Sequence, residues 1–171
     1  HEWFGNNISA ADIADNWIHE GFTTYSEVLF IERYFNKDSA TKYLRGLRTH
    51  IGNKKKVIGP YGVNEEGADN YEKGANLVHM IRLIINNDSL FRDVLRGMNK
   101  EFGKKTVSSR EIEQYIINKS GKALHRVFDQ YLRSTQIPEL KYELKNGKLV
   151  FQWINCVKGF NMPVRILVEG K

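Results

Sequence analysis

The sequence predicts a mainly α-helical protein that ends in a short β-structured segment. From about Ala10 to Leu132, apolar residues recur at the three- and four-residue spacing of helix faces, with loops between the helical segments. After Pro138 the period changes to two, which is typical of strands. Hydrophobic residues make up 41% and charged residues 27% of the 171 residues, which is usual for a folded globular chain.

Two core-facing helices are predicted in the middle of the chain. Their apolar faces are Leu77, Val78, Ile81, Ile84 and Ile85 in the first helix, and Leu90, Phe91, Val94, Leu95 and Met98 in the second. We expect Ser89 to cap the second helix. Ser108, followed three positions later by Glu111, predicts a capping box for the helix after it, and Ser120 is expected to cap the last helix.

The C-terminal segment is predicted to contain a hairpin and one more strand. Apolar residues alternate with polar ones on both sides of Asn146-Gly147, a dipeptide typical of a tight hairpin turn. The apolar positions before the turn are Leu140, Tyr142 and Leu144. Val164 to Val168 is predicted to form a third strand.

The stretch from Gly52 to Asn70 has five glycines or prolines and no sustained period, so we expect a long loop. Its Lys54 to Lys56 run and the net charge of +6 suggest nucleic-acid binding as one alternative. We expect no nucleic-acid partner, because the run lacks interleaved aromatic residues. No apolar run approaches the roughly 18 residues of a membrane-spanning helix, so no membrane partner is expected either. The single cysteine, Cys156, cannot form an intrachain disulfide.

Three motifs carry the chemical information. They are HEWFGN at residues 1–6, DNWIHEGF at residues 15–22 and YEKG at residues 71–74. In order and spacing they resemble the gluzincin aminopeptidases of the aminopeptidase N and leukotriene-hydrolase type, in which HExxH runs into a [QE]WFGN-like stretch and WxxEG follows. The resemblance covers about residues 1–135. It implies the helical C-terminal part of a thermolysin-like peptidase catalytic domain there, and the first strands of a small β-sandwich-like domain over residues 136–171.

The resemblance also implies a zinc site. Two histidines four residues apart and a glutamate from the next helix hold the metal in such enzymes. On that pattern His1 is the second histidine, and Glu20, nineteen positions later, is the third ligand. The first histidine and the glutamate that acts as general base are expected upstream of residue 1. Glu2 follows the second histidine and is expected to be a surface carboxylate. If His1 belonged to a purification tag, Glu20 and Tyr71 would keep their roles and the metal site would lose its histidine.

Two further residues take roles from the resemblance. Tyr71 is the expected catalytic hydrogen-bond donor to the oxyanion, since a phenol donates without carrying charge. Glu27 is expected to orient a zinc-bound imidazole from outside the ligand shell, with an ordinary surface glutamate as the alternative. His19 is not expected to bind the metal with Glu20, because adjacent helix positions point about 100° apart. His50, His79 and His125 are expected to be surface or core histidines.

These residues predict a zinc-dependent aminopeptidase that releases N-terminal residues from peptides. We expect the chain itself to be inactive and to bind Zn²⁺ weakly or not at all, because it has two ligands where three are needed and a terminus that frays. A noncatalytic helical scaffold or binding module that retains the peptidase fold is the alternative. Self-association through exposed apolar surfaces is expected. The sequence does not determine the compartment, although we lean towards an extracytoplasmic or periplasmic one.

Overall fold

The protein, seen in a computed structural model that describes residues 1–167, is mainly α-helical, as the sequence predicted. Within these residues the helices are α1 (Trp17–Tyr34), α2 (Lys37–Arg48), α3 (Glu72–Ile85), α4 (Asp88–Phe102), α5 (Ser109–Ser120) and α6 (His125–Arg133). A single 3-10 turn, Ile13–Asp15, leads directly into α1. No helix of the described part is long and apolar enough to cross a membrane.

Helices α1 and α3 pack against each other at the centre of the protein, and the other helices surround them. The predicted apolar faces are confirmed, since Leu77, Val78, Ile81 and Ile85 of α3 and Phe91, Val94 and Met98 of α4 are buried. Trp17, at the start of α1, is fully buried, and its indole Nε1 donates to Ser109 Oγ at 2.7 Å. Each such apolar side chain contributes about 1.5–3 kcal/mol by leaving water.

The capping box of α5 is confirmed. Ser108 Oγ accepts from the backbone N–H of Glu111, and Glu111 Oε2 accepts from the backbone N–H of Ser108 at 2.8 Å. These two bonds satisfy backbone donors that have no partner inside the helix, so they fix where α5 begins.

Two other predicted caps were wrong. Helix α4 is capped by Asn87, whose Oδ1 accepts from Leu90 N at 3.0 Å, and Ser89 lies inside the first turn. Ser120 ends α5 instead of starting the next helix, and α6 begins after Leu124 without a side-chain cap. Asn87 is the cap because it is the extended residue just before the helix, where its Oδ1 can accept from the N–H of Leu90, whereas Ser89 lies within the first turn.

Four short strands form two separate two-stranded sheets in the described part. Strand β1 (Ile8–Ala10) pairs in parallel with β2 (Lys105–Val107). This pair was not predicted, because a strand of three residues is too short to show an alternating pattern in the sequence. The predicted hairpin is confirmed as β3 (Glu139–Lys145) and β4 (Lys148–Ile154), with Tyr142 opposite Phe151. Asn146 and Gly147 both have positive φ, at 50° and 72°, as the predicted tight turn requires.

The predicted third strand was wrong over the residues that the structure describes. Val164 to Leu167 is in neither helix nor strand, and Val168 lies outside the described residues. The chain before this segment is held by side chains instead of a strand ladder, since Trp153 Nε1 donates to the Met162 carbonyl at 2.9 Å. Alternation alone predicts a strand, but a strand also needs a backbone partner.

Candidate metal and catalytic site

The side chains of His1 and Glu20 meet at the N-terminal end of α1. His1 Nε2 lies 2.8 Å from Glu20 Oε2, and the glutamate side chain is only 12% exposed. The first residues fold back as a turn in which Asn6 N donates to the His1 carbonyl. Phe4 stacks on Phe22 of α1, with ring centroids 5.2 Å apart, so an apolar contact fixes this turn beside Glu20.

The donor atoms brought together here fit part of a zinc site. Imidazole nitrogen and carboxylate oxygen are both zinc ligands, and zinc binds each at about 2.0–2.2 Å. Residues 1–167 contain no group of three histidine, cysteine, aspartate or glutamate side chains that could hold a metal ion. The described residues therefore supply two compatible donors, His1 and Glu20, side by side.

Tyr71 lies at the beginning of α3 and faces the same region. Its side chain is half-exposed, and burial followed by the negative charge of Glu20 raises the pKa of its phenol above the usual 10. The phenol is therefore protonated at neutral pH and able to donate a hydrogen bond. The structure thus brings Tyr71 near Glu20 although 51 positions separate them.

Glu27 lies two turns after Glu20 on α1 and lines an open cleft of about 680 Å³ together with His1, Trp3 and Phe30. Its carboxylate accepts a hydrogen bond from the phenol of Tyr43 on α2, and this contact raises the pKa of Tyr43 to about 12. Glu27 therefore lines the same cleft as His1. Among the described residues, its carboxylate is hydrogen-bonded to Tyr43 of α2 and not to a histidine ring. Its predicted role towards an imidazole stays a prediction.

The remaining histidines do not join this site. His19 Nε2 accepts from the backbone N–H of Ala10 at 3.0 Å, so that lone pair is already used. His79 is half-buried beside the Tyr25 hydroxyl, and burial lowers the pKa of its ring. His50 and His125 are exposed. Glu2 is exposed as well, as predicted.

The long loop, residues 52–70, docks onto the segment just before α1. This docking was not predicted from the sequence. Tyr61 OH donates to Asp15 Oδ1 at 2.7 Å, and Gly62 N donates to Asp12 Oδ2 at 2.9 Å. Asn16 Nδ2 donates to Glu66 Oε2 at 2.9 Å. The loop therefore connects the beginning of the Glu20 helix to the beginning of the Tyr71 helix.

The base of this loop is anchored by a buried lysine that follows Tyr71 by two positions. Lys73 Nζ donates to Asn53 Oδ1 at 2.6 Å and to the Ser134 carbonyl at 3.2 Å. Burial lowers the pKa of this ammonium group, while the nearby Asp69 charge opposes that shift. Asp69 in turn accepts from the backbone N–H groups of Gly52 and Asn53. The lysine in the YEKG motif was the only sequence signal for this anchor. It did not predict the contacts, because Asn53 and Ser134 are distant from Lys73 in the sequence.

Comparisons with known proteins place this chain in one family. Residues 1–131 match the model of the peptidase family M1 domain. Human aminopeptidase B is 28% identical over 133 residues, which cover 68% of this chain and 20% of that protein. Probable aminopeptidase 1 of Saccharolobus solfataricus is 23% identical and matches all of this chain but 24% of its own length. The chain thus spans about a fifth of the length of such relatives.

Solved structures show the same fold. The M1 zinc metallopeptidase of Deinococcus radiodurans, as a mutant bound to a Tyr-Ser-Ala substrate, has a TM-score of 0.68 and 24% identity, covering 81% of this chain and 32% of that one. Legionella pneumophila aminopeptidase A in complex with aspartic acid also has a TM-score of 0.68 and 24% identity, covering 91% of this chain and 19% of that one. With a family model matched over most of its length, this chain belongs to peptidase family M1.

Proposed function

We propose that this chain is part of a zinc-dependent aminopeptidase that releases N-terminal residues from peptides. The observation that carries the proposal is the contact between His1 Nε2 and Glu20 Oε2, at 2.8 Å, with the protonated Tyr71 phenol close to the same carboxylate. The names of the relatives support the reaction, and the substrate bound to the Deinococcus radiodurans protein supports a peptide as the substrate class.

His1 and Glu20 are the residues of this chain that would hold the zinc ion. When bound, zinc supplies Lewis-acid polarisation of the scissile carbonyl. Tyr71 donates a hydrogen bond to the oxygen on which negative charge develops, and such a donor typically contributes a factor of about 10²–10³ to kcat. Glu27 is proposed to hold a histidine ring of the site in one orientation, and Tyr43 fixes the carboxylate that does so.

We also propose that the chain alone is inactive and binds zinc weakly. Two protein donors replace three, and the His1 side chain is 51% exposed, so little holds the ring in place when the metal is absent. Calorimetric titration of the chain with Zn²⁺ checks this statement. Tight binding at one equivalent, or peptidase activity that a chelator removes, would contradict it.

The test of function is hydrolysis of aminoacyl reporter substrates by a longer protein that continues upstream of His1. We expect Glu20→Ala to lose zinc and activity together. Tyr71→Phe should keep zinc and the fold while kcat falls about 100-fold or more, since only the oxyanion contact is removed. Glu2→Ala and Tyr34→Phe are matched controls, because both side chains are exposed, and should leave kcat unchanged. A folded longer protein without zinc binding or hydrolysis would favour a noncatalytic scaffold.

A further inference from the structure

Helices α1 and α3 touch through two glycines. A Cβ atom added to Gly74 would lie 2.8 Å from the Gly21 Cα, and one added to Gly21 would lie 3.0 Å from the Gly74 Cα. Ordinary van der Waals contacts of a Cβ are 3.4–4 Å, so an alanine at Gly74 would force the helices more than half an ångström apart. The atoms that would be met belong to the backbone and cannot rotate away.

The two glycines lie beside the proposed site residues. Gly21 directly follows Glu20, and Gly74 lies one turn after Tyr71. A Cβ at Gly21 would also lie 3.3 Å from the carbonyl oxygen of Asn70, the residue before Tyr71. Helix α1 therefore meets the chain on both sides of Tyr71, and the distance between the two backbones sets the distance from Glu20 to Tyr71.

Independent contacts keep α3 from adjusting around a larger side chain. Lys73, between Tyr71 and Gly74, is buried and bonded to Asn53 and to the Ser134 carbonyl. Two turns further along α3, Arg82 binds Glu32 of α1 through two hydrogen bonds of 2.6 and 2.9 Å. Because contacts on both sides of the crossing fix α3, a larger side chain at Gly74 has to displace the backbone locally. Tyr71, at the beginning of α3, lies in the part that would move.

We propose that Gly21 and Gly74 are positioning residues of the peptidase, which hold Tyr71 at its working distance from the Glu20 carboxylate. This inference rests on the proposed function. It assigns a role to the glycine that ends the EG pair and to the glycine that ends YEKG, which act through the spacing of the two helices. Glu20 and His1 lie together on the α1 side, so widening the crossing moves Tyr71 away from both of them.

Four glycine substitutions separate this role from plain packing. Gly74→Ala and Gly21→Ala widen the crossing, with Gly21→Ala the milder change. Gly97→Ala, at the contact of α4 with the Tyr115 hydroxyl, disturbs a helix crossing away from the site. Gly46→Ala in α2 meets nothing within 4 Å and serves as the silent control. All four are made in the longer protein that continues upstream of His1, beside Tyr71→Phe and Glu20→Ala.

We expect Gly74→Ala to lower kcat about 10- to 100-fold, because a displacement near 1 Å can cost that much, while KM changes less than about threefold. Zinc affinity, measured by competition with a chelating dye, should stay within about threefold, because the donors proposed for the metal lie on the α1 side. Gly97→Ala should lower the melting temperature but leave kcat unchanged. Gly46→Ala should leave kcat unchanged and raise the melting temperature slightly, because alanine is the better helix former.

Several outcomes would overturn the inference. The first is a folded Gly74→Ala protein that has the kcat of the parent. The second is an equal loss of kcat in Gly97→Ala, because lowered stability alone would then explain the lower rate. If Gly74→Ala does not fold, Gly21→Ala decides in the same way. Failure of the proposed function is distinguishable, because the longer parent protein would then show no hydrolysis, or Tyr71→Phe and Glu20→Ala would keep its full activity.

Discussion

Arg82 of α3 binds carboxylates from two other helices at once. Its guanidinium donates to Glu32 of α1 at 2.6 and 2.9 Å and to Asp88 of α4 at 2.8 Å, and its own side chain is only 11% exposed. The hydrogen bonds from Arg82 are the largest cause that lowers the pKa of Glu32 and of Asp88. This residue therefore joins three helices through charge-assisted hydrogen bonds.

We predict that Arg82→Gln lowers the free energy of unfolding by about 2–4 kcal/mol at pH 7, because two carboxylates lose their shared partner. Both carboxylates have folded-state pKa values below their ordinary 4.5 and 3.8. Their contribution is thus present above pH 4.5 and is lost as the pH falls through the lowered values. Urea unfolding at pH 7 and pH 3 should show a smaller acid loss in the variant than in the parent.

The control for Arg82 is a solvent-exposed ion pair. Lys55 and Glu65 are 3.0 Å apart, but their side chains are 68% and 55% exposed. Lys55→Gln should change the free energy of unfolding by less than about 1 kcal/mol. If Arg82→Gln were equally mild, the interpretation of Arg82 as a structural clamp would be wrong.

The sequence predicted part of the site at the scale of residues. The resemblance to the gluzincin aminopeptidases implied that His1 and Glu20 share a site. Their side chains lie 2.8 Å apart, while their binding of zinc stays a prediction. The contact between Gly21 and Gly74 was not predicted. In the sequence, a glycine within a helix indicates only a weak helix former. Whether it allows two helices to approach depends on which helix crosses at that position, and no local sequence pattern specifies this.

At the scale of helices, the start of α4 allows a direct test of capping. Asn87 and Ser89 are both residue types that cap helices, and the sequence favoured the wrong one. We predict that Asn87→Ala lowers the free energy of unfolding by about 1 kcal/mol, because Leu90 N loses its acceptor. Ser89→Ala should stay within about 0.5 kcal/mol. Chemical unfolding of both variants checks this, and a larger effect for Ser89→Ala would contradict the observed cap.

The long loop, residues 52–70, is docked by several hydrogen bonds, one of which runs from the Tyr61 hydroxyl to Asp15. Burial and the bond to Asp15 raise the pKa of Tyr61 to about 12, so the phenol still donates at pH 10. We predict that Tyr61→Phe speeds hydrogen exchange at Gly59 and Gly62, whose N–H groups bind Ala14 and Asp12, because the loop opens more often.

Exchange measured by NMR tests the loop, and Tyr142→Phe is its matched control because that hydroxyl is exposed in the hairpin. Protection at Gly59 and Gly62 should fall about fivefold in Tyr61→Phe, as expected for a hydrogen bond of about 1 kcal/mol. Unchanged protection would mean that the backbone contacts alone hold the loop. In the parent, the Tyr61 contribution should be complete below pH 10 and disappear as the pH rises towards 12.

Helix existence was predictable at this scale, and loop docking was not. The apolar faces of α3 and α4 repeat over three or four turns, so periodicity locates them without knowledge of the fold. The contacts of Tyr61 with Asp15 and of Asn16 with Glu66 join residues 46 and 50 positions apart. Neither has a local sequence signal, because each depends on how the loop returns across the 3-10 turn.

At the scale of the whole molecule, the hairpin β3–β4 leaves most of its side chains exposed. Alternation places Leu140, Tyr142 and Leu144 of β3 and their partners Trp153, Phe151 and Leu149 of β4 on one face. Tyr142 is 68% and Leu144 76% exposed. The sequence predicted the hairpin correctly because turn and alternation are local, whereas what covers its apolar face is a property of the assembled protein.

We predict that this chain self-associates through that face, because a second copy would cover both the apolar side chains and a strand edge that pairs with no other strand among residues 1–167. Sedimentation should show the mass rising above 19.9 kDa with concentration. Combined Tyr142→Lys and Leu144→Lys should keep the chain monomeric, because ammonium groups on the apolar face cannot be buried unpaired. The matched control is Val150→Lys with Gln152→Lys, which adds the same charge on the opposite face of β4 and should leave association intact. If both double variants lost association equally, the cause would be net charge and not the apolar face. If the unmodified chain stayed monomeric at every concentration, the prediction would be wrong.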